Sequence, residues 1–190
     1  MKQIKAIPKQ LFEAHFTNKE FEYYDYACFI SILDNDNDEQ RYDGAADNFL
    51  QVKMWDIERD VKDTDGTVYE KPPDSELKKI VEFVNKHKDK TVFVIHCTAG
   101  VSRSGAVATF LHDKFLSEID KEQFRRENKH IMPNLYILNR LKELDDESTI
   151  KGIPEHNFFE VKYDKSTTKA LNTCIIDVFK DYFKNLKYGN

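Results

Sequence analysis

Residues 91 to 105 restrict the architecture of this 190-residue chain more than any other stretch. The apolar run Thr91-Val92-Phe93-Val94-Ile95 has strand length and no polar face, so it reads as a strand buried on both sides in the middle of a sheet. It leads into His96-Cys97-Thr98-Ala99-Gly100-Val101-Ser102-Arg103-Ser104-Gly105. A helix then follows from Ser104 to Phe115, packing through Ala106, Val107, Phe110 and Leu111. The order is strand, tight loop, helix. Successive backbone N–H groups in such a loop can converge on one point, and a helix N-terminus adds partial positive charge there. That point is an anion site. The same field stabilises a thiolate, the nucleophilic form, which makes Cys97 a candidate nucleophile. Arg103 adds a planar fork able to hold two oxygens of a phosphate. A nucleophile beneath a phosphate cradle implies attack on phosphorus.

The other two cysteines supply a control. Six residues after Cys28 stands Asp34, and six after Cys174 stands Lys180; only Cys97 has an arginine there. Cys28 and Cys174 lie on apolar faces and read as core. Cys97 alone would read the same way, and the loop around it is what separates it. An arginine in the first turn of a helix sits at the wrong end of the dipole, so Arg103 itself points to a bound anion. Ser102 and Ser104 have a plainer reading as helix caps.

At these residues the chain resembles the cysteine-dependent protein phosphatases, the tyrosine and dual-specificity superfamily, whose loop reads His-Cys-x5-Arg-Ser/Thr. Ala99-Gly100-Val101-Ser102-Arg103-Ser104 is closer to the dual-specificity branch, and Gly105 to the tyrosine-specific one. A second stretch, Ile131-Met-Pro-Asn-Leu-Tyr-Ile-Leu-Asn-Arg-Leu141, is similar to the Pro-Asn-x-x-Phe-x-x-x-Leu helix of dual-specificity phosphatases. The resemblance covers about residues 26 to 145, with none in the first 25 residues or the last 45.

The resemblance implies a phosphocysteine mechanism and a role for each matching residue. Cys97 is the nucleophile, and Arg103 with the N–H groups of Thr98, Ala99, Gly100, Val101 and Ser102 binds the phosphoryl oxygens. Ser104 donates a hydrogen bond to the sulfur. His96 orients the loop and favours the thiolate without transferring a proton. The family also uses an Asp, on a loop after an upstream strand, to protonate the leaving oxygen, a contribution of about 10²–10⁴ in rate. Asp56, Asp60, Asp63 and Asp65 are the candidates. Asp56 ranks first, at the carboxyl end of a strand, where α/β sheets place their sites. Trp55-Asp56 is also similar to the Trp-Pro-Asp loop of tyrosine phosphatases, without its Pro. Asp60 ranks second, while Asp63 and Asp65 read as solvated loop. Asn134 either supports the loop or the attacking water, or simply caps a helix.

Length suits a single phosphatase domain over residues 1–190, with 146–190 as a C-terminal helical extension. Hydrophobic content of 40% is globular, and a net charge of −5 with dispersed Lys and Arg argues against nucleic acid as partner. Three cysteines make no disulfide framework, and a catalytic thiolate needs a reducing compartment. With no apolar run of membrane length and no signal-peptide core, a cytoplasmic location without membrane contact is expected. The fold class expected is α/β: a central, largely parallel twisted sheet flanked by helices, as the tyrosine phosphatase resemblance also implies.

Strands are expected over Tyr26–Leu33 and Phe49–Trp55, the latter with Leu50, Val52 and Met54 on one face. Asp56–Pro73 reads as a long loop and a possible lid. Asp74 or Ser75 should cap a helix with Leu77, Ile80, Val81 and Val84 as its stripe, and a last helix is expected at about Thr167–Leu186. Asp34-x-Asp36-x-Asp38 begins like a calcium loop, but Glu39 and Ala45 stand where Gly and Glu are needed. It also resembles the nucleophile motif of haloacid-dehalogenase-like phosphatases, with Asp38 at the Thr/Val position. An acidic turn between strands explains it better. His87, His112, His130 and His156 lack ligand spacing, so no metal and no cofactor are expected.

The uncharged loop Thr98–Ser102 disfavours phosphoinositides, and Ser102 before Arg103 on an acidic chain disfavours RNA triphosphatase activity. The loop's position near residue 97 excludes the low-molecular-weight class, and Ser104 sets the chain apart from rhodaneses. Phosphorylated protein is the expected partner, with phosphotyrosine first and phosphoserine or phosphothreonine also open. The competing reading is a weakly active or non-catalytic phosphate-binding module.

Overall fold

A computed structural model describes residues 2–16, 21, 24–36 and 46–151. In chain order the elements are β1 (Gln3–Pro8), α1 (Lys9–Phe16), β2 (Ala27–Leu33), β3 (Phe49–Lys53), β4 (Val61–Lys62), β5 (Val68–Tyr69), α2 (Asp74–Lys86), β6 (Val92–Cys97), α3 (Arg103–Phe115), α4 (Glu118–Glu127) and α5 (Leu135–Lys151). The main sheet runs β1-β6-β2-β3, and every pairing in it is parallel. This is the expected α/β class. β6, fully buried, lies between β1 and β2, as a strand apolar on both faces must.

Strand alternation divides the core in two. Phe93, Ile95 and Cys97 of β6 join the aliphatic side with Leu77, Ile80, Val81 and Val84 of α2, Val107 and Leu111 of α3, and Ile137 and Leu141 of α5. The other face is aromatic. There Phe12 and Phe16 of α1 close on Phe29 of β2, with ring centroids 6.2 and 5.0 Å apart, and the Phe21 ring lies tilted against Phe49 at 4.6 Å. The outer edge of β1 is closed by side chains instead of another strand. Asn128 accepts from Ala6 N–H at 2.9 Å and donates to Ile4 O at 2.9 Å, while His130 lies 3.0 Å from Ala6 O.

Several expectations change. β1, α1 and α4 were not foreseen: β1 and α1 are only six and eight residues long, and among its described side chains α4 buries little besides Phe124. β3 ends at Lys53, short of Trp55, because the Met54 carbonyl is taken by Arg103. The expected loop 56–73 contains the antiparallel β4–β5 hairpin, whose two-residue strands are too short to reveal periodicity. Neither Asp74 nor Ser75 caps α2; Pro73 holds the cap position, and Asp74 instead takes the Arg140 guanidinium at 2.6 and 2.9 Å. Residues 1–153 form one compact unit. The helix expected at 167–186, with Cys174, His156 and the acidic run past Asp36, lies outside the described residues. No helix among the described residues is long and apolar enough to cross a membrane.

Candidate active site

In an all-parallel sheet the carboxyl ends of the strands share one edge. Here that edge collects Pro8, Asp34, the Met54–Asp56 segment and the loop after Cys97. Gly100 turns the loop with φ +73°, a conformation that L side chains rarely adopt. A Cβ there would lie 2.3 Å from Pro8 N and 2.4 Å from the Ile7 carbonyl carbon, so the loop is pressed onto the end of β1. Its carbonyls are tethered from outside. Lys9 N–H donates to Thr98 O, Met132 N–H to Val101 O, and Asn134 N–H to Ser102 O. Among the described residues no amide from Ala99 to Ser102 donates to another backbone carbonyl. The loop thus spends its acceptors on the fold and keeps its donors, the arrangement an anion requires.

Cys97 Sγ is buried and sits 3.2 Å from Ser104 Oγ, itself fully buried at the start of α3. Arg103 is only 4% exposed, although no part of the aliphatic core needs a cation. Its Nη1 donates to Met54 O at 2.8 Å and pairs with Asp34 Oδ1 at 2.7 Å. Nη2 donates to Thr98 Oγ1 at 3.1 Å. Nε is buried with no hydrogen-bond partner, and its closest acid is Asp56 Oδ2 at 3.9 Å.

Of the four candidate acids, the structure brings Asp56 to the loop. Its Oδ1 accepts from Ser102 Oγ at 2.7 Å and from Asn134 Nδ2 at 3.0 Å. Ser102 occupies the cap position of α3 but makes no side-chain cap, its hydroxyl being turned to Asp56 instead. Asn134 caps α5, its Oδ1 accepting from Ile137 N–H at 3.0 Å, while its Nδ2 donates to Asp56. Glu58 adds a tie by accepting from Leu135 N–H at 2.9 Å. Asp60 accepts from Lys71 N–H at 2.9 Å, closing the base of the hairpin, and lines a groove with Tyr136 and Arg140 that includes no loop residue. Asp63 and Asp65 shape the hairpin turn, Asp65 accepting from Thr67 N–H at 2.8 Å.

His96 packs on the opposite face of β6, its ring 4.1 Å from that of Phe12. Burial, reinforced by the positive charges of Lys9 and Arg103, lowers its pKa to about 3. The neutral ring packs beneath the loop, against Phe12. Cys28, in mid-strand, shows the fate of an ordinary buried thiol: burial pushes it up to about 12. Asp34 was missed. It read as one member of an acidic turn, yet it touches both Arg103 and Thr98, whose Oγ1 donates to Asp34 Oδ2 at 2.9 Å. The available signal was its place one residue past β2, at the sheet edge that carries the loop. Among the described residues no three His, Cys, Asp or Glu side chains group as metal ligands.

No protein-family model matches the sequence, and no curated protein matches it. Solved structures do resemble it, tyrosine and dual-specificity phosphatases among them. PTPMT1 in complex with PI(5)P is 19% identical with a TM-score of 0.45, over 80% of this chain and 95% of that one. Human DUSP28 is 14% identical with a TM-score of 0.45, over 78% and 95%. Tk-PTP in the active form is 17% identical with a TM-score of 0.43, over 75% and 90%.

Proposed function

We propose that this chain is a metal-independent phosphomonoester hydrolase acting on phosphoproteins, phosphotyrosine foremost, through a phosphocysteine intermediate. The observation that carries the reading is the hydrogen bond from Ser102 to Asp56. It links a carboxylate from one strand end to the very loop that holds Cys97 and Arg103. A binding module needs the loop and the arginine but has no use for a carboxylate held against them.

Cys97 Sγ attacks phosphorus in line, and the ester P–O bond breaks as the P–S bond forms. Arg103 and the loop amides hold the equatorial oxygens. Asp56 Oδ1 already accepts two hydrogen bonds, so Oδ2 is the oxygen that carries the proton given to the leaving group. Water then attacks the phosphocysteine and gives its proton to the Asp56 carboxylate. The sulfur leaves as thiolate, steadied by the Ser104 hydroxyl 3.2 Å away. Preference for an aromatic leaving group is supported by Met132 and Leu135, 75% and 58% exposed, whose N–H groups donate to Val101 O and to Glu58.

The test is hydrolysis of a small aryl phosphate in reductant and chelator, followed by phosphotyrosine and phosphothreonine peptides. Wild type should turn over, and Cys97→Ser should not. Asp56→Asn should lower kcat by about 10²–10⁴ with little change in KM. A wild type that binds inorganic phosphate without any turnover would replace this reading with the binding module.

A further inference from the structure

A groove of about 570 Å³ runs between the base of the β4–β5 hairpin, the start of α2 and one face of α5. Tyr136, Arg140 and Glu143 stand at helical spacing and share that face. Two segments that line the groove also hold Asp56. Asp60 is four residues past Asp56, and Tyr136 is two past Asn134, whose Nδ2 donates to Asp56. At about 1.5 Å per helical residue, Arg140 lies about 9 Å along α5 from Asn134. The groove therefore begins beside the proposed general acid and extends from it by about three or four residues of extended chain.

Its lining has a definite sign. Asp60, Glu70, Asp74 and Glu143 face Lys71 and Arg140, four carboxylates against two cations. Arg140 is committed: Nε and Nη2 donate to Asp74 at 2.9 and 2.6 Å, and Nη1 to Glu143 at 2.7 Å. That fork is closed to an anionic ligand. Asp60 and Glu70 make no ion pair among the described residues. The walls between them are apolar, formed by Pro72, Pro73 and the Tyr136 ring. Lys71 shows what such walls accept, since its exposed Nζ lies 5.1 Å from the Tyr136 ring centroid.

We propose that the groove is a substrate subsite, taking a lysine or arginine side chain of the phosphoprotein about three or four residues from the phosphoresidue. The methylene stem lies along the prolines and the Tyr136 ring, and the charged head displaces Lys71 and meets Asp60 and Glu70. The inference rests on the hydrolase reading only in taking a phosphoprotein as ligand. A second phosphorylated residue would need the opposite lining: a free guanidinium fork and a surplus of positive charge.

The test is the affinity of the full-length Cys97→Ser chain for phosphotyrosine peptides of alanine background, with one lysine moved along each side of the phosphotyrosine. Lysine at the matching position should bind roughly three- to tenfold more tightly than alanine there, measured by fluorescence anisotropy. Glu70→Gln with Glu143→Gln, both exposed positions, should erase that advantage and leave the all-alanine peptide unchanged. Lys71→Ala should enlarge it by removing the competing cation. No lysine position better than alanine, an advantage that survives the double substitution, or one that Lys71→Ala fails to enlarge overturns the proposal. Tighter binding of a second phosphotyrosine than of lysine overturns it as well. Aryl phosphate turnover by the chain with Cys97 intact keeps the two readings apart. Turnover without a lysine advantage overturns the subsite alone, and a lysine advantage without turnover overturns the hydrolase reading alone.

Discussion

Gly100 and Gly66 both have positive φ, +73° and +92°, but they sit in opposite surroundings. A Cβ on Gly100 would collide with the backbone of Ile7 and Pro8, while one on Gly66 would meet nothing within 4 Å. The first belongs to the loop that carries Cys97 and Arg103, the second to the hairpin in the 56–73 segment that follows Asp56. The loop is clamped by backbone on one side and by Met132 and Asn134 on the other. Asp56 is about a third exposed and is held by two side-chain hydrogen bonds. The difference matches the two roles proposed above for the loop and for Asp56. A phosphate cradle must be preorganised, because any reorganisation it undergoes is subtracted from binding. A general acid must meet leaving groups of different shape and then water, so a lighter tether suits it.

The contrast can be broken from either side. Gly100→Ala has the largest expected effect: strained φ and a backbone clash together should cost about 3 kcal/mol or more in denaturant unfolding, with loss of phosphate binding. Wild-type affinity in a folded Gly100→Ala would sink the view of a rigid cradle. Asn134→Ala removes the α5 cap, worth about 0.5–2 kcal/mol, together with one of the two Asp56 tethers. Its kcat should fall while phosphate affinity holds, and a fall in affinity instead would place Asn134 with the cradle.

His96 tests the cradle's support through pH. Its folded pKa, about 3, lies below the ordinary 6.5, so between those values the unfolded chain binds a proton that the folded chain does not. Stability from this group is present above pH 6.5 and is lost as pH falls toward 3, at up to about 1.4 kcal/mol per pH unit. His96→Gln should flatten that slope in unfolding titrations, and an unchanged slope would refute the neutral-ring account. Gly66→Ala should have the smallest effect, a loss of about 1–2 kcal/mol at most with kcat and KM unaltered.

Much of this was legible because it is local. An apolar run with no polar face can only be an inner strand, and β6 is one. Cys97, Arg103 and Ser104 lie within eight residues of one another, so strand, turn and helix geometry alone brings them together. Asp56 was legible at one remove, from its position at a strand's carboxyl end. What a sequence pattern cannot carry is pairing across distance. Asp34 looked like any residue in an acidic turn until β2 was set beside β6, in a register that carries both strand ends to one edge. The hydroxyl of Ser102 looked like a helix cap until a carboxylate 46 residues away competed for it. The chain by itself determined the class of fold and the strand, loop and helix that carry the proposed nucleophile and cradle, since those follow from short-range backbone geometry. Only the tertiary structure decided which carboxylates face Arg103, because that depends on strand order and register, which short-range patterns do not encode.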